Sequence, residues 1–370
     1  MDDSEQNTAL PLITRIEDLP PALSASLSDE EREWIEKIRA SGFHNKGSFP
    51  LSVTPHFASL AGPEKSCPIR RQFMPDPLEA HNDPFALDDP LGEERFRITP
   101  RLVHQYRDRV LLLAGGNCAG FCRYCFRRSR MGPIAAFIRT EELEPVLSYL
   151  KPREEVKEIL VSGGDPLGAK NSEIEELLKK LRGARPDISI RLCSRIPITN
   201  PERLDPDTIT LLSRYQPIRI VTHINHVKEL APAARTALAG AVEAGIPVLV
   251  QTVLLRGIND DAGILAALFR ECRNIGLSPY YLFQLDLAPG AAHFRVPLKE
   301  GLRIYGELKQ LINDENNPVN CLPVYAVDLP GGGGKITLHE GVIAGEENRP
   351  GGKVFLLKDN PGKLWEYPCE

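Results

Sequence analysis

Long apolar runs are missing from this 370-residue sequence. The longest, residues 246–255, is interrupted by Pro247, Gln251 and Thr252 and falls well short of the ~18 residues a membrane-spanning helix needs. A basic excess is missing too: 45 Lys and Arg stand against 50 Asp and Glu, a net charge of −5, which argues against a duplex nucleic-acid binder. The start, Met1-Asp2-Asp3-Ser4-Glu5, is acidic where a secretory leader is basic and then apolar, so a cytoplasmic protein is expected. Two nucleotide signatures are also lacking. No GxGxxG follows the first candidate strand. In Asp328-Leu-Pro-Gly-Gly-Gly-Gly-Lys335, Leu329 replaces the first glycine of GxxxxGK[ST] and Ile336 its Ser or Thr, so the string is no phosphate loop.

What remains is a globular balance, 42% hydrophobic and 26% charged, with enough length for one large core or two domains. The 32 prolines exceed the usual ~5% and crowd the first 100 and last 50 residues, which read as irregular wrapping segments. In the first, only Asp29–Ser41 predicts a helix, opened by a Ser28/Glu31 capping box and stopped at Gly42. From 109 onward, short apolar strands (109–114, 157–162, 188–193, 217–222, 247–253, 279–285) alternate with helical stretches (141–150, 172–181, 207–214, 229–244, 261–275, 298–312), the second capped by Ser172/Glu175. Six βα repeats with continuously apolar strands predict a parallel α/β sheet, open or closed into a barrel. Each strand is followed by polar or reactive residues: Cys118, Cys122 and Cys125; Ser162-Gly163-Gly164-Asp165; Ser194-Arg195; His223-Ile-Asn-His226; Arg256-Gly-Ile-Asn259; Asp286. Strand ends of that kind converge at the mouth of a barrel, and a partial (β/α)6 barrel is the expected fold. The expected boundaries are 1–100 for the N-terminal segment, 101–328 for the barrel and 329–370 for the C-terminal segment.

Three of the eight cysteines fall within eight residues as Cys118-x3-Cys122-x2-Cys125. In a reducing compartment such a cluster points to metal rather than disulfides. Thiolates ligate iron–sulfur clusters, and three of them leave one iron of a [4Fe-4S] cluster open. A structural zinc site takes four ligands and would need a distant His or Cys.

CxxxCxxC after the first strand of a βα repeat, with Phe121 and Tyr124 beside the later cysteines, resembles the radical S-adenosylmethionine superfamily. There the open iron binds the amino and carboxylate groups of S-adenosylmethionine, which is cleaved to a 5′-deoxyadenosyl radical. The resemblance narrows through Cys67-Pro-Ile-Arg, Asp88-Asp-Pro-Leu, Cys118-Ala-Gly-Phe-Cys-Arg-Tyr-Cys-Phe-Arg-Arg, Ser162-Gly-Gly-Asp-Pro-Leu, Asn225-His226 and Val253-Leu-Leu-Arg-Gly-Ile-Asn-Asp. Together these are similar to the lysine 2,3-aminomutase family from about residue 48 to about residue 340.

That family is an isomerase family, and the resemblance implies a second cofactor, pyridoxal 5′-phosphate, attached to Lys335 after the glycine run. Arg109 and Tyr106 match residues near its phosphate, while Gln105 replaces a further arginine. Ser162, Gly163, Gly164, Asp165, Ser194, His226 and Gln251 match S-adenosylmethionine contacts. Arg127 matches the arginine that binds the substrate α-carboxylate, and Asp286 and Asp328 match the aspartates that hold the distal ammonium of lysine. Glutamate-selective relatives lack both acids. The implied reaction is L-lysine to β-lysine by a 1,2-amino shift, with arginine, or service to the β-lysylation of an elongation factor, as alternatives. The uninterrupted GGGG favours the free-standing enzyme over the lysylation group, which Phe126-Arg-Arg and Pro279-Tyr-Tyr-Leu otherwise resemble. The implied partners are a small amino acid, an electron donor such as flavodoxin or ferredoxin, and further copies of the chain. His226-Val227 replaces the usual His-Pro. Long relatives bind zinc through a cysteine-rich C-terminal extension; only Cys369 lies near this end, so no zinc is expected. The competing class, a non-enzymatic iron–sulfur carrier, accounts for the cysteines but not for Lys335.

Overall fold

The computed structural model describes residues 11–41, 49–130, 136–312, 322–359 and 361–370, with the side chain of Arg130 left aside. Met1–Glu5, Gly42 and Cys321 lie outside them. Helix α1 (Asp29–Ser41) forms as expected: the Ser28 N–H donates to Glu31 Oε2 at 2.8 Å and the Glu31 N–H to Ser28 Oγ at 3.3 Å. The helix buries Ile35 and Ile38.

One ten-stranded sheet follows the chain in order. β1 (Arg97–Thr99), β2 (Leu102–Tyr106) and β3 (Arg109–Gly115) form an antiparallel meander. Parallel to β3 run β4 (Glu158–Gly163), β5 (Ser189–Cys193), β6 (Ile218–His223), β7 (Val248–Val253), β8 (Ser278–Phe283) and β9 (Val324–Leu329). β10 (Gly334–Thr337) returns antiparallel to β9. The crossover helices are α2 (Thr140–Leu150), α3 (Asn171–Ala184), α4 (Pro206–Ser213), α5 (Pro232–Glu243), α6 (Ala262–Asn274) and α7 (Leu298–Ile312). Ile159, Val161, Ile190, Leu192, Ile220 and Val250 are buried within the sheet, in one core with Leu178 and Leu238 of the helices.

The six expected βα units are present, and a seventh parallel strand, β9, completes them. Pro323 and Pro330 bracket β9, which is why it reads as loop: neither proline lies within the ladder. The cap of α3 sits two residues earlier than expected, where the Lys170 N–H donates to Glu173 Oε2 at 2.9 Å. α5 starts at Pro232 rather than Glu229, because the Glu229 carboxylate is buried and accepts the N–H groups of Asn225 and His226.

The C-terminal segment is not irregular. β11 (Ile343–Arg349), β12 (Gly352–Lys358) and β13 (Leu364–Pro368) form a separate antiparallel sheet, with Pro350 and Pro361 in the connections rather than the ladders. It docks through buried Tyr367, whose hydroxyl donates to the Leu285 carbonyl at 2.6 Å. The large sheet crosses both expected boundaries, since β1 starts before residue 100 and β10 lies beyond 328.

Its strand order is open, yet its two ends meet through side chains. The Lys335 N–H on β10 donates to the Tyr106 hydroxyl on β2 at 2.9 Å, and Gln105 Nε2 to the Gly332 carbonyl at 3.4 Å. Among the described residues, no helix is long and apolar enough to cross a membrane.

Candidate active site

β3 runs into the loop that carries Cys118, Cys122 and Cys125. The N-terminal segment fixes this loop: Val53 bridges Gly120, the Phe121 N–H donates to Ser52 O at 2.9 Å, and the Arg123 N–H to Gln72 O at 2.9 Å. Beneath it lies a buried triad. Arg123 Nε reaches Glu79 Oε1 at 2.7 Å, with a second Arg123 contact to Oε2, and Arg128 Nη2 reaches Oε2 at 2.7 Å. Burial alone would raise the Glu79 carboxyl, but the two guanidiniums outweigh it and hold it below the usual range.

Burial pushes the Cys118 thiol well up and the Cys125 thiol up to about 11. Desolvated thiols of this kind become thiolates when a metal cation compensates them. Among the described residues, no three His, Cys, Asp or Glu side chains are set to share a single ion. A cubane, which gives each thiolate its own iron, does not ask that of them. The donor set fits a cluster.

At the end of β4 the two glycines serve the cysteine loop. Gly163 has φ +108°, and a Cβ there would clash with the Gly115 carbonyl. The Gly164 N–H donates to Gly115 O and the Asp165 N–H to Asn117 O at 2.7 Å. Asp165 is saturated by the protein: it accepts from Ser194 Oγ and from the N–H groups of Arg195, Ile196 and Leu167. Ser194 and Asp165 therefore tie β5 to β4.

Gln251 Oε1 lies 2.9 Å from His223 Nε2. Burial, then the charge of Arg195, pushes His223 down to about 4, with Lys335 and Arg127 adding to the effect. His226 is placed differently. Its Nδ1 accepts the Lys228 N–H at 3.1 Å as a helix cap. His223, named from the sequence as a strand-end residue but given no cofactor contact there, is thus the histidine close enough to Lys335 to feel its charge.

The remaining residues converge where the sheet ends meet. β9 and β10 place Asp328 and Lys335 opposite one another, with Lys335 Nζ 2.8 Å from Asp328 Oδ2. The amine also lies 3.8 Å from the Phe283 ring centroid and 4.9 Å from that of Tyr281. The glycine run makes the turn that sets this register: Gly331, Gly332 and Gly334 have φ of 63°, 93° and 80°, a region open to glycine at little cost. Tyr106, pushed up to about 12 chiefly by burial and then by Asp328, holds the Lys335 backbone. The Arg109 guanidinium stands 5.8 Å from the Tyr106 ring and pairs with Asp108. Gln105 is spent on the glycine turn.

Asp286, after β8, is pushed well above the usual carboxylate range by burial and then by Asp328, while Lys335 and Arg127 oppose the shift. Arg127 Nη2 lies 2.7 Å from Glu93 Oε1 and its Nη1 3.2 Å from Ser162 Oγ. Glu93 is a site residue that the sequence reading missed. It follows Asp88-Asp-Pro-Leu, and Asp89 accepts its N–H at 3.0 Å. The same stretch closes on the glycine turn, where the Gly331 N–H donates to Pro90 O at 2.9 Å.

Residues 112–267, which hold the cysteine loop and strands to β7, match the Radical SAM superfamily. A Treponema pallidum (strain Nichols) protein, provisionally named L-lysine 2,3-aminomutase, is 44% identical over 324 residues, 85% of this chain and 89% of its own. The L-lysine 2,3-aminomutase of Acetoanaerobium sticklandii is 35% identical over 342 residues, 92% of this chain and 79% of that one. The glutamate 2,3-aminomutase of Clostridioides difficile is 31% identical over 314 residues, 85% of this chain and 71% of that one. On this likeness over most of its length, the chain belongs to the lysine 2,3-aminomutase family of radical SAM enzymes.

Proposed function

We propose that the protein is an L-lysine 2,3-aminomutase, converting L-lysine to β-lysine. The observation that carries the substrate choice is the pair of acids, Asp286 and Asp328, placed close enough for one to raise the other's carboxyl. A distal ammonium between them favours the ionised form of both acids, whereas the γ-carboxylate of glutamate would bring a further negative charge and no cation. Arginine has the same sign, and pocket length decides between the two cations.

The cluster and S-adenosylmethionine supply the 5′-deoxyadenosyl radical, and pyridoxal 5′-phosphate supplies the carbonyl carbon that carries the migrating nitrogen. In this reading Cys118, Cys122 and Cys125 hold the cluster, and Lys335 carries the pyridoxal group with Tyr106 and Arg109 at its edge. Glu93 takes the Nε–Nη2 edge of Arg127 and so aims its Nη1 at the substrate α-carboxylate, which it would meet in a charge-assisted hydrogen bond. His223 and Gln251 offer polar atoms toward S-adenosylmethionine, while Asp165 and Ser194 hold the strand ends beneath it. The electron donor is a small protein such as a flavodoxin or ferredoxin, and the enzyme works in the cytoplasm as a homo-oligomer.

The test is anaerobic turnover of the chain reconstituted with iron, sulfide and pyridoxal 5′-phosphate. It is incubated with S-adenosylmethionine, dithionite and, separately, lysine, arginine or glutamate. β-Lysine as the dominant product is expected; a β-amino product from arginine or glutamate alone would overturn the assignment.

A further inference from the structure

Outside the substrate pocket, Arg195, directly after β5 and Ser194, is a largely buried cation whose guanidinium reaches a cysteine sulfur. Its Nη1 donates to Cys122 Sγ at 3.0 Å, and its Nη2 to Gln72 Oε1 and to Glu229 Oε2 at 2.9 Å. The guanidinium is stacked near Phe57, 4.9 Å from that ring centroid, and 5.6 Å from that of Tyr124. Glu229 is fully buried and also accepts from Gln72 Nε2 and from two backbone N–H groups. Gln72 Oε1 further accepts from Asn225 Nδ2, which reaches the Tyr124 hydroxyl at 2.6 Å. Arg195 is thus locked from three sides with one arm on a cysteine sulfur. Its buried Nε has no partner among the described residues, which leaves one more donor for a group the protein does not supply.

We propose that Arg195 sets the reduction potential of the cluster through its hydrogen bond to Cys122. Reduction adds one electron and moves no bond or proton, so its free energy follows the local charge and the hydrogen bonds to sulfur. A buried cation donating to a ligating sulfur stabilises the more negative, reduced state. Its carboxylate partner, Glu229, anchors the guanidinium through Nη2 and leaves Nη1 to the sulfur. Arg195 is accordingly a positioning residue acting on the cluster through Cys122. The inference rests on the cysteine trio holding that cluster.

The experiment is a redox titration, followed by electron paramagnetic resonance, of the full-length reconstituted chain and of Arg195→Gln and Arg195→Lys, with iron counted in each. Arg195→Gln should keep its iron and lose about tenfold in the equilibrium constant for reduction, equivalent to about 59 mV for one electron. Arg195→Lys should fall between it and the wild type. A wild-type potential in an iron-replete Arg195→Gln protein would overturn the proposal. If that variant loses iron, Arg195→Lys decides by the same criterion; loss of iron from both would overturn it as well, making Arg195 a folding residue. Failure of the wild-type chain to take up iron would instead count against the functional assignment.

Discussion

Lys335 Nζ and Asp328 Oδ2 stand 2.8 Å apart across the β9–β10 hairpin. The carboxylate proposed to receive the substrate's distal ammonium therefore already holds an ammonium in the free protein. Covalent attachment of pyridoxal 5′-phosphate to Lys335 would remove that partner and release Asp328 for the substrate. Borohydride reduction of the pyridoxal-loaded protein should leave a pyridoxyl group on the peptide containing Lys335, read by mass spectrometry. Lys335→Ala should carry none and show no turnover. Covalent labelling of Lys335→Ala elsewhere at the wild-type level would remove Lys335 from this role.

The acid pair makes a sharper demand. Removing one partner of a buried, charged hydrogen bond costs about 2–5 kcal/mol, which is roughly 30- to several-thousand-fold in rate. Asp286→Ala and Asp328→Ala should each lose kcat/KM for lysine by that factor while keeping iron and the cluster's absorbance. Lysine kinetics at the wild-type level in both variants would sink the lysine assignment.

Asp286 also has a consequence for stability. Its carboxyl is raised well above the usual range by burial and by Asp328, so the folded chain retains a proton that the unfolded chain releases. Stability from this group is full below the ordinary aspartate pKa and is lost as pH rises through the folded value. Asp286→Asn has nothing to ionise and escapes that loss. Its melting temperature should match the wild type near about pH 4. It should exceed the wild type at about pH 8, above the ordinary aspartate range. A gap that is constant with pH would show that Asp286 does not titrate between those values.

Much of this arrangement was legible in the sequence because it depends on local order. Cys118, Cys122 and Cys125 sit on one short loop, and six apolar runs alternate with helices, so spacing alone locates them. Lys335 and Asp328 flank a glycine run whose turn brings them face to face. What sequence order hides is packing between distant segments. Glu93 meets Arg127 across 34 positions and Gln72 meets Arg195 across 123, and neither pair leaves a periodic trace. His226 and His223 are three residues apart, and only the fold shows that one caps a turn while the other faces Gln251. β9 and the C-terminal sheet were missed because prolines beside their strands read as breaks, although they lie outside the paired positions or at a strand's last residue.

Glu79 provides the strongest test of the N-terminal segment's part in the site. Its carboxylate is the shared partner of Arg123 and Arg128, whose side chains are fully buried. Both guanidiniums belong to the cysteine loop and its continuation. Breaking a buried ion pair by removing one partner leaves an uncompensated charge and costs about 3–5 kcal/mol; here two cations are stranded at once. Glu79→Ala should therefore lose at least the lower part of that range in denaturant unfolding, and the cysteine loop should loosen with it. Iron bound per chain after reconstitution should fall in parallel. Glu79→Gln, which keeps an acceptor oxygen but not the charge, should fall between the two in both measurements. If Glu79→Ala loses stability yet binds iron as the wild type does, the triad braces the fold without shaping the loop. Equal stability would mean that the two arginines find other partners, and the triad would then explain neither.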